Sequence, residues 1–114
     1  MMHMSEDIKA LIQAVYEKAK LKMGNEMSSW NKVFQFNIEG GEPFYIEFKQ
    51  GSANVVQGSH PAPTATLMMN KDVLVKILKG ELDAMAAFIR GQMKITGNVI
   101  ETTSLRRMIE AAKS

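Results

Sequence analysis

Apolar positions along this chain change their spacing several times, and each change marks an element. Ile8, Leu11, Ile12, Val15, Ala19 and Met23 recur three or four residues apart, which puts them on one face of a helix. Ser5 suits its N-cap, Glu6 and Asp7 suit the positive end of its dipole, and Gly24-Asn25 ends it. The opposite face mixes Glu17 with Lys9, Lys18, Lys20 and Lys22, the pattern of a solvated face rather than a membrane anchor. Phe34, Phe36, Ile38 and then Phe44, Ile46, Phe48 alternate with polar residues on either side of Gly40-Gly41, which predicts a β-hairpin. Its other face, with Gln35, Asn37, Tyr45, Glu47 and Lys49, is expected to meet water. Ala53 and Val55 continue the alternation, as do Ala65, Leu67 and Met69 beyond a loop containing Pro61 and Pro63. The simplest outcome is a four-stranded antiparallel meander, with Trp30 packing where a loop crosses the sheet.

Asn70 then caps a helix running to Lys79, with Val73, Leu74, Ile77 and Leu78 inward and Gly80 as its stop. From Leu82 to Gly97 a short helical pattern (Leu82, Met85, Ala86, Ile89, with Phe88 beside it) gives way after Gly91 to a strand carrying Met93 and Ile95. All its large residues are expected to face inward. Val99, Ile100, Leu105, Met108, Ile109 and Ala112 form the apolar face of a last helix, and Thr102-Thr103-Ser104 weakens its start, making it the candidate lid.

Composition narrows the function more than the fold. With 114 residues, the chain reads as a flexible start over 1–4 and one domain over 5–114. A formal charge of +2 is too slight for a nucleic-acid partner. The absence of cysteine removes disulfides and thiolate chemistry, and the absence of a signal-like or membrane-spanning run points to a soluble, cytoplasmic protein. Ten methionines are unusual, and those outside the first four residues read as fillers of irregular space.

Reactive constellations are missing. His3 and His60 have no metal-ligand spacing, Ser59 sits on no strand-to-helix elbow, and Gly91 and Gly97 make no phosphate loop. Glu39, Glu42 and Glu47 fall on the exposed hairpin. Neither an enzyme nor a cofactor is therefore expected. Arg90, Lys94, Arg106 and Arg107 make a modest basic patch suited to transient contact with anionic lipid headgroups.

The run from Gly80 to Gly97, a glycine, a short helix containing Ala87-Phe88, and then Gly91-Gln92-Met93-Lys94-Ile95-Thr96-Gly97, resembles the signature of the sterol carrier protein 2 family. Pro63 to Met69 resembles that family's strand before the capped helix. The resemblance covers Ser5 to Lys113 and implies an α+β fold: a curved, five-stranded, mainly antiparallel sheet with helices packed on one face, enclosing an apolar tunnel. It implies a non-catalytic intracellular carrier of a fatty acid, fatty acyl-CoA, sterol-like or phospholipid ligand. Phe88 matches the aromatic of the signature, so Met85, Phe88, Ile89, Met93 and Ile95 are expected to line the tunnel, joined by Phe36, Phe48, Leu78, Leu105 and Met108. The chain ends Ala111-Ala112-Lys113-Ser114, unlike the Ser-Lys-Leu address of peroxisomal members, and its compact length resembles a stand-alone prokaryotic form. The alternative is an interaction, accessory or homodimerisation module of the same fold.

On this reading Phe88 is a core aromatic. Phe88→Ala is expected to destabilise an empty protein by roughly 3–5 kcal/mol and a lipid-filled one by less, and melting curves with and without added lipid measure the difference.

Overall fold

The computed structural model describes residues 6–113, so the Ser5 cap and the 1–4 start lie outside it. The elements run α1 (Glu6–Met23), α2 (Asn25–Ser28), β1 (Lys32–Glu39), β2 (Phe44–Lys49), β3 (Ser52–Gln57), β4 (Ala65–Asn70), α3 (Lys71–Leu78), α4 (Ala84–Ile89), β5 (Met93–Gly97), a 3-10 turn (Ile100–Thr102) and α5 (Thr103–Lys113). One five-stranded sheet has the order β3-β2-β1-β4-β5, with every pairing antiparallel except β1 with β4.

That parallel pair corrects the expected meander, which holds only for β1 to β3. Because β3 and β4 run the same way, their connection must return diagonally from the end of one to the start of the other. Crossing three strand spacings and one strand length takes roughly 25 Å. The chain from Gln57 to Ala65, stiffened by Pro61 and Pro63, reaches roughly 27 Å when extended. It therefore crosses nearly taut, and it does so over the sheet's outer face. Gln35 receives it: its Oε1 accepts from the His60 N–H at 2.8 Å, and its Nε2 donates to the carbonyls of Gly58 (3.1 Å) and Phe44 (3.2 Å). The Tyr45 ring meets His60 edge-on at 5.0 Å. Gln35, expected in water, is thus buried with its amide satisfied.

On the inner face the register sets Phe34, Ile46 and Val55 side by side, Phe36 beside Leu67 and Ile95, and Ile38 beside Met69 and Met93. The two halves of this face are filled differently. Under α1, Phe48 contacts Trp30 edge-on at 5.2 Å, Phe34 at 6.2 Å and Tyr16 at 6.3 Å, a close-packed aromatic cluster. Trp30 thus packs at the sheet, as expected, and the Tyr16 hydroxyl ties α1 to the β2–β3 turn by donating to the Gly51 carbonyl at 2.6 Å. Burial pushes the Tyr16 pKa up. Over β4 and β5 lie α3, α4 and α5 instead. Asn70 caps α3 as expected, accepting from the Val73 N–H at 2.8 Å.

α5 is not the loose element its threonine-rich start suggested. Leu105 and Met108 are buried, Arg107 pairs with Glu26, and Lys32 Nζ joins Glu101 at 2.6 Å and Ser104 at 3.0 Å. α4 is weaker: only Ala87 on it is fully buried, while Met85, Phe88 and Ile89 are exposed by 43%, 40% and 75%. Its large residues do not all face inward. A two-point ion pair links it to α5, with Arg106 Nε 3.1 Å from Asp83 Oδ1. The residue that matches the signature's final glycine, Gly97, has φ +87°, and a Cβ there would stand 2.9 Å from the Thr64 carbonyl oxygen.

Two outcomes follow from these contacts. Gly97→Ala is expected to destabilise by about 1–3 kcal/mol in chemical denaturation, since neither its φ nor the β4 backbone can yield cheaply. An unchanged midpoint would disprove that. The Arg106 guanidinium holds the Asp83 carboxyl below the usual carboxylate range. The stability it adds is therefore present above about pH 4 and lost as pH falls through the lowered value. Asp83→Asn should be less stable than the wild type at neutral pH, with the gap closing on acidification; a gap that persists at roughly pH 2 would show that the ion pair is not its cause.

Candidate functional site

Between the β4–β5 side of the sheet and helices α3, α4 and α5 lies a cavity of about 140 Å³. The alternation of β1, β4 and β5 supplies its floor: Phe36, Leu67, Met69, Met93 and Ile95 all point to the helical side. Leu74, Ile77 and Leu78 of α3 and Leu105, Met108 and Ile109 of α5 form walls at helical spacing, and Ile12 of α1 closes the back. Ala84, Met85 and Phe88 of α4 and Val99 complete the lining, and Met85, Phe88 and Val99, partly in solvent, mark its mouth.

Polarity is confined to one end. Thr102, Thr103 and Arg106 are the lining residues with oxygen or nitrogen in their side chains. Both threonine hydroxyls donate backward, to the carbonyls of Val99 (2.5 Å) and Ile100 (2.8 Å), which stitches the 3-10 turn and leaves each oxygen able only to accept. Arg106 keeps its charge, its pKa raised by Asp83. Beside the mouth an open groove of about 380 Å³ shares Met85, Thr103 and Arg106 with the cavity and adds Met23, Arg107 and Glu110. Among the described residues no group of three or more His, Asp or Glu side chains could hold a metal ion. No helix among them is long and apolar enough to cross a membrane.

Of the ten residues expected to line a tunnel, the structure brings eight around this space: Phe36, Leu78, Met85, Phe88, Met93, Ile95, Leu105 and Met108. Two lie elsewhere. Phe48 is in the aromatic cluster under α1, because the register sets it opposite Lys32 at the start of β1, whereas Ile46 on the same strand still reaches the lining. Ile89 points outward, because α4 turns only one narrow face to the sheet and Ala87 occupies its centre. Phe88 proves to be a rim residue, so the cost of Phe88→Ala falls below the core range. Val99 and Ile100, placed by periodicity on the last helix, precede it: Val99 lines the mouth and Ile100 is exposed by 78%. The alternation and helical spacing had marked Leu67, Met69, Leu74 and Ile77 only as core. Their place at the cavity depends on strand order, and the one local sign of it is that β4 and β5 carry aliphatic and methionine side chains where β1 and β2 carry phenylalanines.

Comparison with known proteins agrees with this architecture. The chain is 30% identical over 87 residues to the peroxisomal multifunctional enzyme A of Dictyostelium discoideum, covering 73% of this chain and 20% of that one. It spans only about a fifth of the length of the curated relatives it matches first. Among solved structures, palmitated SCP2L2 from Aedes aegypti superposes with a TM-score of 0.71 at 23% identity, covering 93% of this chain and 95% of that one. Apo sterol carrier protein 2 from Yarrowia lipolytica gives a TM-score of 0.64 at 19% identity, covering 92% and 88%. These two likenesses establish the fold. A family model matches residues 8–110, and on that match the chain belongs to the SCP-2 sterol transfer family.

Proposed function

We propose that this protein is a non-catalytic carrier that holds the apolar chain of a lipid, a fatty acid, fatty acyl-CoA, sterol-like or phospholipid molecule, between its sheet and its short helices. The observation that carries this reading is the cavity's chemistry: an aliphatic, aromatic and methionine wall with polar groups at a single end. An amphiphile matches that division, its chain inside and its head at Thr103 and Arg106, with the adjoining groove to receive the larger heads. The palmitate borne by the Aedes relative is of this class.

Size sets a condition. A space of about 140 Å³ resembles the roughly 150 Å³ apolar cavity that stays dry and takes up benzene, so it admits a short segment of chain. At roughly 24 cal/mol per Å³ it costs on the order of 3 kcal/mol when empty, which a ligand can recover. A whole acyl chain requires Met85 and Phe88 to swing outward with α4, on which Ala87 alone is fully buried. The space would then lengthen into the tunnel expected from the sequence. The lining is aliphatic, aromatic and methionine apart from Thr102, Thr103 and Arg106, which favours binding of an apolar chain.

Organic extraction of the purified protein with mass spectrometry should recover a lipid, and a fluorescent fatty acid should bind in a saturable manner. Ile95→Trp, which fills the cavity from the edge strand, should weaken that probe by about tenfold or more while leaving the melting temperature equal or higher. An empty protein that also rejects the probe, or an Ile95→Trp variant that binds it as well as wild type, would sink the reading.

A further inference from the structure

Among the described residues that line the cavity, Arg106 is the one whose side chain can donate a hydrogen bond to a ligand. The two lining threonines spend their hydroxyl protons on the carbonyls of Val99 and Ile100 and can only accept, and every other lining side chain is apolar. Yet the guanidinium is already engaged. Its Nε stands 3.1 Å from Asp83 Oδ1 and its Nη2 3.5 Å from Asp83 Oδ2, so one edge of the fork holds a carboxylate. Asp83 is also the residue from which α4 starts, and this pair is the one that joins α4 to α5. Of the other charges in the adjoining groove, Glu110 pairs with Lys113 at 3.3 Å and Arg107 pairs with Glu26.

We propose that Asp83 holds, in the empty protein, the place of a ligand's carboxylate, so that a fatty acid entering the cavity exchanges with Asp83 on Arg106 and frees α4 in the same step. The exchange is cheap on the protein's side. Arg106 and Asp83 are exposed by 43% and 42%, and solvent screens a pair of that kind. A fatty-acid carboxylate whose chain lies in the cavity is held at an apolar mouth, where the same charge-assisted hydrogen bonds count for more. Both carboxylates on one guanidinium would bring two negative charges together there, so one excludes the other. The chain needs α4 to swing outward, and the ion pair that links α4 to α5 is lost at the moment the chain arrives. A neutral lipid of equal length gains nothing from Arg106 and opens α4 against an intact pair. Arg106 is thus the residue that selects an anionic head, and Asp83 is its built-in competitor. The inference rests on the carrier reading and adds to it which lipids are favoured and what releases α4.

Parinaric acid and its methyl ester carry the same fluorescent chain with and without the charge, and the ratio of their dissociation constants at neutral pH tests the exchange. The wild type should bind the acid about tenfold more tightly than the ester. Arg106→Met, which keeps an apolar stem and removes the fork, should bring that ratio to about one. Asp83→Asn, which removes the competing charge, should tighten the acid by about threefold and the ester by less. In the double variant with Arg106→Met, the acid should lose that advantage over the ester. Both side chains are partly exposed, and circular dichroism checks that each variant is folded. A ratio unchanged in Arg106→Met, or equal gains for acid and ester in Asp83→Asn, would overturn the exchange and leave standing a carrier that binds both. Rejection of both probes by the wild type would overturn the carrier reading together with it.

Discussion

How much sheet the helices can cover decides the rest of this molecule. An 18-residue α1 extends roughly 27 Å and seals the half of the sheet it lies over, where large aromatics close the remaining gaps. A six-residue α4 extends roughly 9 Å and cannot do the same for β5. Its sequence does not try: Ala84, Ala86 and Ala87 are small, and its large residues stand at the border. The hollow is thus a consequence of element lengths, and a cavity of this kind persists because the aromatic half and the buried Leu105 and Met108 of α5 supply the stability that the hollow half does not.

The same division explains what the sequence disclosed and what it withheld. Periodicity located almost every element, and residue-type signals fixed caps and turns such as Asn70 and Gly97, because those depend on neighbours a few positions away. Strand order depends on where the chain goes after β3. The length and prolines of 58–64 were compatible with a meander turn as well as with a diagonal crossing, and Gln35, a polar residue at a polar position, gave no warning that a loop would cover it. The site suffered from the same ambiguity. Phe48 and Phe36 show the same alternation in sequence and are separated by register, which sets Phe48 opposite Lys32 and Phe36 opposite Leu67. Ile89 and Met85 are both apolar residues on one short helix, and a helix of under two turns does not present enough of a pattern to say which will face in.

Ion pairs in this protein act mainly as alignment devices. Asp83 with Arg106, Glu26 with Arg107 and Glu101 with Lys32 are all partly exposed, and surface pairs of that kind add little stability. Each nonetheless joins elements distant in sequence at the border of the cavity, fixing α5 relative to α4, α2 and β1. The resulting frame holds α5 and the turn before it through three pairs and α4 through the single pair at Asp83.

Four of the residues around the cavity are methionines: Met69, Met85, Met93 and Met108. Each has three rotatable bonds and a polarisable sulfur, so the wall can re-form around different contours at small cost. A surface of that kind is poor at rejecting a molecule for its shape. Discrimination between one occupant and another therefore falls to the few directional groups at the entrance, and the interior is left permissive.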